Sequence, residues 1–546
     1  MRQLISHEVK ICIADWLTNH PKLYFHIERR QPMISHIPVI VGVGEVSNEA
    51  IGTDDLWSPR QLMVLAARAA IEDCSSIKSD VTAALDHVTA IRLFADFSKN
   101  FGSDFGTPTN VPWSVASALG VQAKSFEYAQ SGGDTPQIAV AEAAARIASG
   151  AIRSALIVGA EAFRTDRRAA RADIKLDWRE PGPALPPGMS ADKFYSEDEL
   201  AHGLNTPVSI YALIDQAVRA KQSAGAAVRN QSIGTRLAHM AQVAKDNPFA
   251  AHRDGYSADD IVTPADDNRI ISLPYTRRMI AEPSVDLGAA ILLMSEECAD
   301  EFRIPHEKRV YLRGHAQAVD EWYLSDRDDL AQSPAIRLSS RHAAAQAGVD
   351  IGSIAAFDIY SCFPSAVDIA ASELGIAEDD PRPLTVTGGL PFFGGPGNNY
   401  VTHAIARMVR YVREHPSLFG MVTANGGGLT KHAVGVYSSV RPDGPLPSFD
   451  AEAIQAEVQQ AWGDKADLSK QGQGPADIET YTILYGKTGP AKGIVFARGA
   501  ESGRRCIAVL SASPEELERL AGQDLIGMRG MLTHSEGINR FRPDCL

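Results

Sequence analysis

Cysteine is scarce. Six are scattered over 546 residues, at Cys12, Cys74, Cys298, Cys362, Cys506 and Cys545. No two form a Cys-x-x-Cys pair, so neither a zinc site nor a disulfide framework is indicated, and no metal is expected. A reduced, cytoplasmic setting is the simplest reading. Long hydrophobic runs are also missing, and none reaches the ~18–20 residues of a membrane-spanning helix. Nor is there surplus positive charge. The 53 Lys and Arg are outnumbered by 67 Asp and Glu, for a net charge of −14. That balance excludes a general nucleic-acid or membrane-surface binder, although a local basic patch can still hold the phosphates of a small ligand. Residues 1–36 mix Arg, His and Lys with short apolar pieces, lack the apolar core of a signal peptide, and read as an N-terminal extension.

What is present is ordinary globular composition, 45% hydrophobic and 22% charged. The length predicts three or four units at roughly 100–200 residues each. Pro38 to Gly44 reads as a buried strand, and Ser58-Pro59 as an N-cap with proline at the first helical position of a helix through Cys74. A strand is expected over His87–Phe94. Thr135-Pro136 opens a helix through Ile147 that Gly150 closes, and Ser154–Val158 is a further buried strand. The alternation returns later, with helices over 341–346, 365–374 and 403–413 and strands over 355–360, 419–423 and 433–438. Strands alternating with helices predict βαβ units on a mostly parallel sheet, and two similar blocks predict an internal duplication. Residues 164–283 between the blocks are less regular, with a Pro/Gly loop at 181–188 and helices over 211–221 and 234–245. They form either a functional loop or lid or a surface elaboration. Residues 441–475 read as a linker with one helix, Ala451–Trp462. Residues 476–546 hold three short strands joined by Gly-rich turns, which Phe541 and its preceding segment can close into a small β-barrel-like domain.

Four motifs concentrate the glycine and polar residues expected at a site. The first is Tyr128-Ala-Gln-Ser-Gly-Gly-Asp-Thr-Pro-Gln137, leading into a small-residue helix. The second, Asp358-Ile-Tyr-Ser-Cys-Phe-Pro-Ser365, follows a strand. The third is Gly388-Gly-Leu-Pro-Phe-Phe-Gly-Gly-Pro-Gly-Asn398. The fourth is Val422-Thr-Ala-Asn-Gly-Gly-Gly-Leu-Thr-Lys-His-Ala-Val-Gly-Val-Tyr437. There an apolar strand enters three glycines, which let backbone approach a neighbour closely.

In order and spacing these motifs resemble the signatures of the thiolase superfamily over about Pro38 to Ser438. With the C-terminal β region they look like thiolase-like protein type 1, near the sterol-carrier-linked thiolases. The resemblance implies a duplicated five-layer αβαβα thiolase fold. Its first half would span residues 37–300 with the insertion, its second half 301–440. It also implies an acetyl-CoA acetyltransferase-like role on acyl-CoA thioesters in lipid or sterol metabolism, with coenzyme A thioester as ligand, no resident cofactor, and a monomer or homodimer. Working thiolases need a nucleophilic cysteine at a helix N-terminus, a histidine and a second cysteine. By the resemblance those positions are Gly133, Gly395 and Ala424, none of which can take a proton or attack a thioester. Backbone donors do not depend on side-chain identity, so N–H groups at Gly133 and Gly426 remain candidates for an oxyanion hole. Cys362 and His432 are the candidate catalytic side chains, each with a bland alternative as a buried core residue. Asp134 is a third group with a conceivable role, and His403 reads as a helix-face histidine. Arg269, Arg277 and Arg278 are candidates for the CoA phosphates, or else solvated surface charges. The competing reading is a non-catalytic CoA-ester-binding or scaffold protein acting through its C-terminal domain. A ketoacyl-synthase-type condensing enzyme needs a cysteine too and fares no better.

Overall fold

Pro38–Ser47 is buried along almost its whole length, the signature of a strand covered on both faces. In the computed structural model, which describes residues 36–48, 55–74, 78–97, 102–185, 188–447 and 450–546, that segment is β1. The extension read over residues 1–36 lies, but for His36, outside the described residues. The first half adds β2 (His87–Ala90), β3 (Ser125–Tyr128) and β4 (Ser154–Ala162). The insertion contributes a short pair, β5 (Ile270–Ser272) and β6 (Tyr275–Thr276), before β7 (Asp286–Ser295) returns to the first sheet. The second half supplies β8 (Tyr311–Val319), β9 (Ile354–Asp358), β10 (Phe419–Gly426) and β11 (Lys431–Ser438). The C-terminal region holds β12 (Gly474–Gly486), β13 (Gly489–Gly499), β14 (Arg505–Leu510), β15 (Arg529–Ser535) and β16 (Ile538–Pro543).

The expected duplication is legible in strand order and direction. The first sheet runs β3-β2-β4-β7-β1, parallel across β3, β2 and β4, then antiparallel to β7 and β1. The second runs β9-β10-β11-β8, parallel from β9 to β10, then antiparallel twice. Beside β9, where β3 lies in the first sheet, the chain passes at 383–384. There the N–H groups of Phe357 and Ile359 donate to Pro383 O and Leu384 O, both at 2.9 Å. The helices Thr135–Ala148 and Tyr400–Glu414 lie between the two sheets and touch strands of both. Pro59–Cys74 covers the outer face of the first sheet and Pro334–Gln346 that of the second, which completes five layers. The outer helices approach through glycine. A β-carbon at Gly42 or Gly44 would strike the carbonyls of Ala70 and Ala66, and one at Gly314 in β8 would strike that of Ala343. The same device therefore seats one outer helix on each half.

Local sequence explains most boundaries. Ser58 Oγ accepts from Gln61 N (3.2 Å) while Gln61 Oε1 accepts from Ser58 N (2.7 Å), a reciprocal cap on the first outer helix. The 334–346 helix starts seven residues before the expected 341 because Ser333 caps it, accepting from Ile336 N at 3.2 Å ahead of Pro334. The strand expected over His87–Phe94 stops at Ala90. The chain then turns into a short 3-10 helix, Phe94–Asp96, and Phe94 N donates to the Glu161 carboxyl at 2.8 Å. Strands β3 and β8 were not expected. The first is four half-buried residues, and the second interrupts its apolar pattern with Arg313, His315 and Gln317.

The C-terminal strands close into a five-stranded barrel, β12-β13-β14-β16-β15 and back to β12. The insertion is fastened to it. Strand β5 pairs with β12, Leu273 N donates to Ile483 O at 3.0 Å, and Thr480 Oγ1 donates to Leu213 O at 2.6 Å. Arg219 grips Asp524 through two bonds of 2.7 and 2.6 Å. Arg505, fully buried, bridges Glu479 to the carbonyls of Ser325 and Asp328. No helix among the described residues is long and apolar enough to cross a membrane.

One buried carboxylate anchors the chain on either side of the third motif. Asp358 Oδ2 accepts from Thr385 Oγ1, Val386 N, Thr387 N and Thr387 Oγ1 at 2.9–3.1 Å, and Oδ1 accepts from Tyr400 Oη at 2.9 Å. Burial pushes this carboxyl above the usual range, against the pull of those donors. Removing the acceptor strands buried donors at ~1–3 kcal/mol each. Asp358→Ala is therefore expected to destabilise the protein by about 3–5 kcal/mol, and a thermal melt that shifts no more than that of a surface alanine variant would contradict this.

Candidate functional site

The glycine run that ends β10 meets the start of the 135–148 helix at the junction of the two halves, as the motifs require. The space that side chains at these glycines would occupy is already filled. A β-carbon at Gly133 would collide with the Tyr360 hydroxyl and the Asn425 carbonyl oxygen. At Gly426 it would meet Asp134 Oδ1, at Gly427 the ring of Phe194, and at Gly428 Ile210. Phe194 and Ile210 both belong to the insertion. Gly427 has φ +72°, so a side chain there is strained as well as crowded.

A buried ion pair stands at the centre. Lys431 Nζ lies 3.0 Å from Asp134 Oδ1 and donates to Ser131 O at 2.7 Å, with the Asp134 side chain 2% exposed. Its ammonium sits 5.6 Å from the centroid of the Phe194 ring, which stacks on Trp322 at 5.4 Å. The pair therefore joins the first half's helix start to the second half's glycine turn, beneath an aromatic cover. An oxyanion forming at Gly133 and Gly426 would develop beside the Asp134–Lys431 pair, whose opposite charges offset one another.

Cys362, Asn425 and Ala424 lie around the same junction. Asn425 Nδ2 donates to Tyr211 Oη at 2.8 Å and approaches Cys362 Sγ at 3.9 Å. The Tyr211 hydroxyl also accepts from Leu429 N at 2.9 Å, and its ring stacks on Phe363 at 4.4 Å. Burial pushes the Cys362 thiol up to about 12, against a hydrogen bond with Tyr211 that pulls it down. At neutral pH it is a thiol, and the thiolate is the nucleophile. A cavity of about 10 Å³ at this point is bordered by Tyr360, Ala424, Asn425 and His432. It is at the lower limit for one water molecule.

His432 borders this cavity and meets a carboxylate that the C-terminal linker also reaches. Its Nε2 lies 3.3 Å from Asp320 Oδ2 and 3.5 Å from Ser333 Oγ. Asp320 in turn accepts from Trp462 Nε1 and from Ala335 N, both at 2.9 Å. Gly395 stands one contact from the junction. Its open side faces Ala281, whose N–H donates to Cys362 O at 3.0 Å. His403 is fully buried, 3.1 Å from Glu45 Oε1 and edge-on to Phe393.

The three arginines are neighbours in the insertion, with Arg277 N donating to Arg269 O at 3.0 Å. Arg269 is exposed. Arg277 pairs with Glu282 at 2.8 Å. Arg278 pairs with Asp267, donates to Asp260 O at 3.0 Å and lies over the Tyr256 ring at 4.3 Å. Sequence reasoning missed Lys431, Tyr211 and Phe194. Lys431 carried a signal, because a lone lysine after one glycine run faces a lone aspartate after the other. Tyr211 and Phe194 carried none, being ordinary aromatics in an irregular insertion.

Residues 453–536 match the model of the thiolase-like protein type 1 additional C-terminal domain. No curated protein matches the sequence. Among solved structures, the chain is similar to a monomeric SCP2-thiolase like protein type 1 from Mycobacterium smegmatis, at 33% identity and TM-score 0.78, over 93% of this chain and 99% of that one. The acetyl-CoA acetyltransferase of Syntrophomonas wolfei (15% identity, TM-score 0.52, 74% and 100% covered) shares the fold. So does the dimeric peroxisomal thiolase of Saccharomyces cerevisiae (14%, 0.52, 75% and 98%). The duplicated sheets, the glycine turn at their junction and the fastened C-terminal barrel agree with that first likeness along nearly its whole length, and the chain belongs to the thiolase superfamily, in its branch of thiolase-like proteins type 1.

Proposed function

We propose that this protein is a non-catalytic thiolase-fold protein of acyl-CoA and lipid metabolism, a monomer that acts as a binding or scaffold unit through its outer surfaces and its C-terminal barrel. The observation that carries this reading is the filled centre. Tyr360 and the Asp134–Lys431 pair take the room that side chains at Gly133 and Gly426 would need. Loss of a covalent nucleophile alone costs on the order of 10⁶-fold in a well-studied hydrolase. The Cys362 thiol, pushed up to about 12 by burial, is a poor replacement for it. The monomeric relative supports the single-chain state. Two of the three arginines considered for CoA phosphates already have acidic partners, which weighs against a thioester seated there.

The test mixes the purified protein with acetoacetyl-CoA and CoA, follows thioester absorbance, and measures CoA binding in parallel by calorimetry. Absence of turnover is expected. Turnover abolished by Cys362→Ala would overturn the proposal.

Two further outcomes follow from the packing. Gly133→Ala is expected to destabilise by about 1–3 kcal/mol through overpacking, partly relieved in Gly133→Ala/Tyr360→Phe because the hydroxyl is one of the two obstacles. Additive melting shifts would refute the contact. Cys362 has its thiol raised to about 12, so its thiolate fraction stays small from pH 7 to 10. Iodoacetamide labelling read by peptide mass spectrometry should reach exposed Cys545 long before Cys362, and fast labelling of Cys362 at pH 7 would refute the burial argument.

A further inference from the structure

On the outer face of the second half a pocket of about 350 Å³ opens where three helices meet. The helix Pro334–Gln346 contributes Arg337 and Arg341, one turn apart and so on one face. Lys221 comes from the last turn of the insertion helix Pro207–Lys221, and Glu373 and Gly375 from the end of Pro364–Leu374. Lys221 pairs with Asp329 at 2.7 Å and Arg337 with Glu373 at 2.6 Å. Arg341 is exposed and makes no ion pair among the described residues. Three cations against two carboxylates leave one positive charge in a pocket of a chain whose net charge is −14. The wall also holds Ser340, only 1% exposed, whose hydroxyl has no hydrogen-bond partner.

We propose that this pocket binds a phosphate ester of about sugar-phosphate size. Two guanidinium groups on one helix face suit the planar, multidentate recognition of a phosphate. The volume lies at the lower end of small-molecule sites, too large for a bare ion and too small for a long nucleotide. The helix end at Gly375 presents carbonyl acceptors, which meet ligand hydroxyls and not a second anion. The site is separate from the filled thiolase junction and independent of whether that junction is catalytic.

Ribose 5-phosphate, with ribose as control, serves as the probe in calorimetric titrations of the full-length protein. Saturable binding of the phosphate ester, none of ribose, and at least about tenfold weaker binding by Arg341→Gln are expected. The thermal midpoint should not move, because Arg341 is exposed. Arg341→Lys, which keeps the charge and loses the planar fork, should also weaken binding, which separates guanidinium recognition from mere attraction to a positive charge. No saturable binding by the wild type, equal binding of ribose, or binding unchanged in both variants would overturn the assignment.

Discussion

The charge pair of Lys431 and Asp134 sits where the two halves of the molecule touch, and the junction is packed around it. Removing an ammonium and a carboxylate from water costs several kcal/mol per ion. The cost is offset only when both partners are present and their remaining hydrogen-bonding capacity is used. Lys431 meets that condition through Ser131 O and the Phe194 ring. The glycines on either side are what let the pair fit, because Gly132 and Gly426 leave open the volume that the lysine stem and the aspartate occupy. A glycine run beside a catalytic centre and a glycine run beside an ion pair look identical in a sequence. They differ in what stands against them.

The insertion follows from the same constraint. Its Phe194, Ile210 and Tyr211 reach the glycine turn from the outside and exclude water from the charges. Its far side is tied to the barrel by β5, Leu213 and Arg219. Junction, insertion and barrel thus form one chain of contacts, in which the barrel braces the cover over the site.

Much of the architecture was legible in the residues. The Ser58-Pro59 and Thr135-Pro136 starts, the buried apolar runs and the Gly-rich turns of the C-terminal strands each state a local preference that the fold keeps. What was not legible has a physical cause in each case. Strand β8 hides because His315 is buried in a strand whose alternation it breaks, its Nδ1 3.1 Å from Val434 O. The 87–94 strand was overrun because Leu93 and Phe94 are apolar, yet they leave the sheet to meet Tyr128 and Glu161. At the site, sequence placed Gly133, Ala424, Cys362 and Gly426 around one junction but gave no account of how full it is. Occupancy depends on tertiary partners such as Tyr211, whose identity says nothing about its destination.

The pairing of β5 with β12 also bears on the order in which the molecule assembles. Ser272 lies opposite Leu484, so the insertion finds its strand partner only after more than two hundred further residues exist. Strand β1 waits similarly for β7, with Pro38 opposite Ser295. Non-local pairings of this kind are slow to form and leave strand edges open in the interval. A nascent chain of this protein therefore carries its central cover without this anchor until β12 has been made.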